Sequence, residues 1–350
     1  YGDHRDLHLS LRRQRQMCIR DSIRIAHMKT VFSGIQPTGK VHLGNLLGAI
    51  NNWVELSNEE NKNYFCVVDL HSLTTHPDPE TMEENIFETI KVLVASGINL
   101  KNSNIYIQSN VSEHVQLSWI LSNFCQIGEL QRMTQFKEKA DQLGNHAGIL
   151  TYPILMAADI LIHKANEVPV GDDQTQHLEL TRNIVERFNN TYGEIFPLPE
   201  RKTGKVGARL MSLRHPENKM SKSNDDLNGT IYFDDSKDEI IKKFKSSVTD
   251  SDDVIKFDAD SKKGISNLID IYSSLNDLSH DEVENKFENL KYGEFKIEVG
   301  ESVVSYLEPI REKYNSMSNG DIASLIKNNL EEVKDSAKKT MDEINSALGI

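Results

Sequence analysis

Apolar and polar positions alternate along the first half of the chain in a way that predicts strands and helices in turn. Thr30–Ile35 is short, apolar and β-branched and predicts a strand. Leu43–Leu56 follows with helical period, Gly44 and Asn45 falling in its first turn. Tyr64–Asp69 (YFCVVD) predicts a buried strand that ends on polar Asp69 and His71. Pro79–Ser96 is amphipathic and stops at Gly97, as a helix would. Ser103–Ser109 predicts the next strand and Val111–Phe124 the next helix. This alternation implies an α/β fold with a doubly wound, Rossmann-like parallel sheet, whose ligands lie at the carboxyl ends of the strands.

Further on, Gly148–His163 predicts an apolar helix, Glu167–Val170 a short strand and Asp172–Phe188 a polar amphipathic helix. Phe196–Asn228 holds Pro197, Pro199, Gly204, Gly207 and Pro216 and predicts an irregular, mobile loop. From Ser236 onward the pattern is almost wholly helical and rich in Lys, Glu and Asp. The expected organisation is a catalytic domain over 28–205, a loop and linker over 206–235, and an all-helical C-terminal region over 236–350 whose last helices can pack back on the catalytic domain.

Composition narrows the class. Hydrophobic residues make up 38% and charged residues 27%, which suits a globular chain with a substantial core. No apolar run approaches the roughly 20 residues of a membrane span. Cys18, Cys66 and Cys125 show no C-x-x-C spacing; they suit a reducing compartment such as the cytoplasm and argue against structural zinc. The net charge of -13 argues against a generic nucleic-acid coat protein but allows an enzyme with a local basic patch. The first 27 residues stand apart, with six Arg and no Lys, whereas residues 28–350 hold seven Arg and 27 Lys. They are expected to be an extraneous leader preceding a natural start at Met28, the alternative being a disordered native tail.

The chemistry begins at SGIQPTGKVHLGN, Ser33 to Asn45. Its first part matches a phosphate-cradling P-loop only superficially. Val41 stands where such a loop needs Ser or Thr for magnesium, and Pro37 removes a backbone donor. A second arrangement fits better. His42 and Asn45 lie three apart at a helix start and can both donate to phosphate oxygens. Gly44 lets a base or ribose approach the backbone, and the helix N-terminus attracts anions. H-x-G-N alone equally suits a surface His beside a helix cap. Lys219-Met-Ser-Lys-Ser223, about 175 residues further on, changes that balance. Two lysines three apart on a Gly/Pro-rich loop can close on a pyrophosphate and neutralise growing charge.

With both motifs in place the chain resembles the class I aminoacyl-tRNA synthetases, and within them closely the tryptophanyl type. The resemblance runs from Met28 to the C-terminus and includes FSGIQPTGKVHLGN, FCVVDLHSLT, IGELQRMTQFKEK, TYPILMAADIL, VPVGDDQTQHLELTR, KVGARLMSL, KMSKS, SVTDS and GISNL. His42 departs from the Thr common in tryptophan enzymes, although His is usual in the wider class; Asn45 stands where the class has its second His. The Arg-rich leader has no counterpart.

The resemblance implies a catalytic set of His42, Asn45, Lys219, Lys222 and Ser223. It implies ATP contacts from Gln36, Pro37, Thr38, Gly44, Asn45, Gly171, Asp172, Asp173, Leu210, Lys219, Met220, Ser221, Lys222 and Ser223. Asp159 is the expected partner of an indole N–H. It lies on a helix stripe with Tyr152, Met156 and His163, inside an apolar run where a lone carboxylate needs a donor. A site built on such a bond rejects an analogue lacking it by roughly 10⁴-fold or more. Pairing with a Lys, or capping of a neighbouring helix, is the plainer alternative for Asp159. Phe32, Val68, His71, Tyr152, Met156, Val168 and Val170 complete the implied tryptophan cage, and Gln174 holds the α-amino or carboxylate group.

The implied reaction is tryptophan–tRNA ligation through an adenylate. ATP arrives with Mg²⁺ as its substrate complex, no structural metal is called for, and the partners are tRNA(Trp), L-tryptophan, ATP and a second copy of the chain. The basic run Arg201, Lys202, Lys205, Arg209, Arg214, Lys219 and Lys222, with Lys242, Lys243 and Lys245, is the expected tRNA and ATP surface. The C-terminal helices are implied to read the anticodon, and IGELQRMTQFKEK to lie on the dimer side. A tyrosyl-type synthetase, a small-molecule adenylyltransferase and a degenerate RNA- or tryptophan-binding paralogue are the alternatives.

Overall fold

The structure, a computed structural model, describes residues 28–202, 210–220 and 227–350. The expectations placed on residues 1–27, Lys205, Arg209, Ser221, Lys222 and Ser223 fall outside the described residues.

A parallel sheet of five strands organises the molecule, in the order β3-β2-β1-β4-β5. The strands are β1 (Lys29–Ile35), β2 (Asn61–Val67), β3 (Ser103–Ile107), β4 (Glu167–Val168) and β5 (Glu200–Arg201). Strand order reverses beside β1, so a crevice opens where β1 and β4 diverge. Their side chains feed two cores, as the two-residue period requires. Val31, Phe65 and Val67 enter one; Phe32, Tyr64, Cys66 and Val68 enter the other. The predicted strand over 167–170 is shorter than expected. The predicted irregular stretch 196–228 contributes β5, which pairs with β4 through Glu167 and Val168.

The helices are α1, built continuously from Leu43–Asn45, a π-helical turn Leu46–Ile50 and Asn51–Asn58; α2 (Asp69–Ser72); α3 (Pro79–Ala95); α4 (Glu113–Ser122); α5 (Ile127–Arg132); α6 (Thr134–Leu143); α7 (Ala147–Ile162); α8 (Thr175–Tyr192); α9 (Lys237–Lys245); α10 (Lys263–Asn276); α11 (His280–Phe287); α12 (Tyr292–Ser316) and α13 (Asn319–Leu348). Their boundaries follow local chemistry. Pro79 occupies the first turn of α3, where its missing N–H costs nothing. Ser236, Ser279 and Ser318 each cap a helix and are met by Glu239, Glu282 and Asp321 in reciprocal capping boxes.

The first core joins α1 and α3 to the C-terminal helices: Trp53, Ile90 and Leu93 share it with Phe244, Ile269, Phe295 and Val303. Leu210, Leu213, Met220, Ile231 and Phe233 are buried in that same core. The second core lies between the other sheet face and α4, α7 and α8, and Val333, Ala337, Met341 and Ile344 of α13 enter it. α13 therefore runs beside edge strand β3, where Asn329 Nδ2 donates to the Ile105 carbonyl at 3.2 Å. Covering an edge strand in this way removes a surface on which another chain could pair.

Candidate functional site

Met220 of the second motif meets the helix start of the first, beyond the carboxyl end of β1. His42 is the N-cap of α1, with extended backbone (φ -124°, ψ 166°) and 5% exposure. Asn45 Oδ1 accepts from the His42 backbone N–H at 3.1 Å, so its amide NH₂ is the half that can donate outward. The His42 ring lies over Gly44: a Cβ placed there would come within 3.0 Å of the ring and 3.8 Å of the Met220 Cβ. Met220 therefore closes over the start of α1. The chain beyond 221–226 returns to the same place. Leu43 N–H donates to the Ile231 carbonyl at 2.8 Å, and Phe233 N–H to the Val41 carbonyl at 2.9 Å.

Helices from the C-terminal half clamp both flanks of this loop. Residues 210–220 fold back on themselves: Met220 N–H donates to the Leu210 carbonyl at 2.9 Å, and Ser212 N–H to the Asn218 carbonyl at 2.8 Å. Asn267 of α10, 2% exposed, takes the Met211 N–H at 2.8 Å and donates to its carbonyl at 2.9 Å. On the far flank Arg311 of α12 donates to the carbonyls of Phe233 and Asp235 at 2.8 and 2.7 Å. Lys243 of α9 donates to the Thr230 carbonyl at 3.0 Å and to Asp235 at 2.6 Å. Lys243 was expected on the RNA surface; it is 8% exposed and engaged here instead. Lys202 is likewise paired, with Glu59 and Glu167. Lys219, Lys242 and Lys245 are exposed.

The expected amino-acid cage lies on the second face of the sheet. Phe32, Val68, Tyr152 and Val168 are buried, and Met156 and Val170 are half-buried against that core. Asp159 sits on α7 with 1% exposure, and it is not a lone carboxylate. Among the described residues it pairs with neither a Lys nor a helix end. Its Oδ2 lies 2.8 Å from His71 Nε2, and its Oδ1 accepts from Gln108 Nε2 at 2.7 Å. His114 Nδ1 stands 2.7 Å from the same Oδ1, close but without good hydrogen-bond alignment. Burial alone would raise the Asp159 pKa; the close approach of His114 and His71 outweighs it and holds the carboxyl well below its ordinary range. A carboxylate offers about four acceptor positions. Among the described residues three donors approach this one.

Tyr152 anchors a second polar group. Its hydroxyl donates to Gln135 Oε1 at 2.9 Å and lies 2.8 Å from His177 Nε2. Gln135 Nε2 in turn donates to the Asp173 carbonyl at 3.0 Å, and Gln174 Nε2 to the Asp173 carboxylate at 3.2 Å. Lys139 Nζ rests 4.3 Å from the Tyr152 ring centre, and burial lowers its pKa against the pull of Asp173. Burial, with Lys139 adding, lowers His177 to about 4. The structure thus gathers Gly171, Asp173 and Gln174 beside Tyr152. It adds Gln108, His114, Gln135, Lys139 and His177, which sequence reasoning missed. Gln135 and Lys139 lie within IGELQRMTQFKEK, a stretch assigned only to the dimer side. Gln108 and His114 follow the carboxyl end of β3, where the strand-end rule could have found them.

A cavity of about 370 Å³ opens beside His71 and Tyr152, lined also by Leu73, Val115 and Thr151. It lies away from His42 and Met220, on the side of α4. Among the described residues no group of three or more His, Cys, Asp or Glu is placed to hold a metal ion. No described helix is long and apolar enough to cross a membrane.

Comparison with known proteins places these features in context. A family model described as "tRNA synthetases class I (W and Y)" matches residues 26–308. The tryptophan–tRNA ligase of Helicobacter pylori is 45% identical over 326 residues, covering 93% of this chain and 99% of that protein. The Oceanobacillus iheyensis enzyme is 46% identical, covering 92% and 99%. The crystal structure of tryptophanyl-tRNA synthetase from Mycoplasma pneumoniae superposes with a TM-score of 0.85 at 33% identity, covering 92% of this chain and 98% of that one. The Campylobacter jejuni enzyme, complexed with ADP and tryptophan, gives 0.78 at 32%, covering 92% and 100%.

Proposed function

The chain belongs to the class I tRNA synthetases of the tryptophan and tyrosine group, and from that premise we propose how its residues carry out tryptophan–tRNA ligation. The reaction has two steps. The tryptophan carboxylate attacks the α-phosphorus of ATP, giving tryptophanyl-adenylate and releasing pyrophosphate. The acyl group then passes to the terminal adenosine of tRNA(Trp), releasing AMP. Neither step needs a covalent enzyme intermediate, so positioning and charge neutralisation carry the catalysis.

ATP lies across the start of α1. The Asn45 amide and the His42 imidazole face its phosphates, helped by the helix N-terminus, and Gly44 receives the nucleoside. Gly171 and Asp173 hold the ribose. Lys219, Lys222 and Ser223 close over the pyrophosphate and stabilise charge as the α–β bond breaks. Mg²⁺ enters with ATP, held mainly by phosphates and water. The observation that supports this most is the convergence of Gly44 with Met220 and of Val41–Leu43 with Ile231–Phe233, which puts both ends of the lysine loop beside the helix start.

Tryptophan lies in the cage of Phe32, Val68, Met156, Val168 and Val170. Its indole N–H donates to Asp159, and its ammonium group faces Gln135, Tyr152 and Gln174. Lys139, already half-desolvated, supplies positive charge near the reacting carboxylate. The chain works as a homodimer in the cytoplasm. Val115, Trp119 and Ile127, exposed at 52%, 75% and 65%, form an apolar surface around α4 and α5 for a second copy to cover. The exposed Lys242 and Lys245, with Arg214, lie toward the tRNA.

Amino-acid-dependent exchange of pyrophosphate into ATP tests the reading. Exchange should depend on tryptophan and be undetectable with tyrosine. Exchange driven by tyrosine alone overturns it.

A further inference from the structure

His163 closes the stripe that begins at Tyr152, yet it faces away from the cage and takes no part in the reading above. It is 4% exposed, and its ring stacks on Tyr64 with centres 4.0 Å apart and planes 3° apart. Its Nδ1 lies 3.1 Å from the hydroxyl of Ser336 on α13. Its Nε2 lies 3.0 Å from the Tyr106 hydroxyl. That same hydroxyl lies 3.1 Å from His114 Nε2. His114 Nδ1 stands beside Asp159. Tyr106 and His114 are wholly buried. A polar path therefore runs from the C-terminal helix, through the sheet's second core, to the carboxylate of the amino-acid cage, its last step being the 2.7 Å approach of His114 Nδ1 to Asp159.

One proton arrangement satisfies this path without burying a cation. An ionised Asp159 only accepts, so His114 carries its proton on Nδ1. His114 Nε2 is then an acceptor, and the Tyr106 hydroxyl donates to it. The Tyr106 oxygen accepts from His163 Nε2–H. His163 Nδ1 is then an acceptor, and the Ser336 hydroxyl donates to it. Along the path each group between the ends uses one donor and one acceptor, the Cys66 thiol being a further neighbour of the Tyr106 hydroxyl, and such chains polarise in one direction. Burial, with His114 adding, pushes His163 well below its ordinary pKa, in keeping with a neutral ring. Ser336 is fixed in register by the packing of Val333, Ala337 and Met341, by Asn329 on the Ile105 carbonyl, and by the Lys62–Glu332 ion pair.

We propose that Ser336 is a positioning residue for amino-acid recognition: its hydroxyl supplies the first donor of a one-way chain through His163, Tyr106 and His114 that fixes Asp159 as the indole acceptor. This rests on the reading that Asp159 receives the indole N–H. The chain makes tryptophan selection depend on the docking of α13, an element far from the substrate in sequence.

The test is pyrophosphate exchange with tryptophan and with its benzothienyl analogue, in which sulfur replaces the indole N–H. The wild-type chain should favour tryptophan strongly. Ser336→Ala should raise the tryptophan KM about 3- to 10-fold, leave kcat and the ATP KM within 2-fold, and shrink the preference over the analogue by a similar factor. Ser336→Thr, which keeps the hydroxyl, should restore both. His163→Phe keeps the ring on Tyr64 and should reproduce the loss, with the double variant no worse than His163→Phe alone, as coupled members of one chain require. An unaltered preference in Ser336→Ala overturns the relay while leaving the Asp159 reading intact. A wild-type enzyme that does not distinguish tryptophan from the analogue overturns both.

Discussion

Gly44 and Met220 stand face to face, so close that a side chain on the glycine would meet the methionine at 3.8 Å and the His42 ring at 3.0 Å. The contact joins two motifs separated by most of the catalytic region. It also bears on why glycine holds the first turn of α1: a Cβ there would make the imidazole give way by a few tenths of an ångström. Gly44→Val should therefore lower kcat/KM for ATP by at least about 100-fold, with tryptophan binding by equilibrium dialysis unchanged. A variant that keeps its ATP kinetics would show that the glycine is not part of the nucleotide floor.

Asp159→Asn preserves shape but turns an acceptor toward the donors His71, Gln108 and His114 into a partial donor. Leaving buried donors poorly matched costs about 1–3 kcal/mol each when a bond is lost. The urea midpoint should fall, and the tryptophan KM should rise by at least about 100-fold while the ATP KM holds. An unchanged tryptophan KM would remove Asp159 from recognition.

Asn267 grips both backbone groups of Met211 and so anchors the segment leading into the lysine loop. Asn267→Ala should cost about 2 kcal/mol of stability for the two lost bonds. It should also slow adenylate formation about 10-fold with little effect on the tryptophan KM. A stability loss without the kcat loss would make the clamp purely structural.

Acid should weaken the fold in a defined window. His177 is lowered to about 4 in the fold from an ordinary value of 6.5, and burial lowers His163 well below that ordinary value too. Between those values the unfolded chain binds protons the folded chain refuses, so stability is lost as pH falls from about 6.5 toward 4, at about 1.4 kcal/mol per unit for each group. Asp159, lowered in the fold, adds its own loss only below its ordinary value of 3.8. Urea midpoints measured from pH 7.5 to 4.5 should fall steadily, and His177→Gln should flatten part of the slope. A midpoint independent of pH across that range contradicts the assignment of buried neutral histidines.

The sequence made some of this legible and hid the rest for physical reasons. Strand runs such as YFCVV and helical stops such as Gly97 are local signals, and the sheet with its alternating faces follows from them. H-x-G-N and K-M-S-K-S declare a nucleotide chemistry because their residue types and spacing are rare together. The partners of Asp159 come from α2, the turn after β3 and α4, and no periodicity records which elements meet. Lys243 looked like surface charge among Lys242 and Lys245, yet its place on the inner side of α9 turns it toward Asp235. β5 was hidden because Glu200 and Arg201 carry no strand pattern; they pair only because β4 offers an open edge.

The central claim is that one ATP is gripped by the start of α1 and by the lysine loop together. Tryptophan-dependent pyrophosphate exchange by Lys222→Ala tests it most directly. The account predicts a fall of at least about 100-fold in exchange rate with tryptophan affinity retained; exchange at the wild-type rate would contradict it.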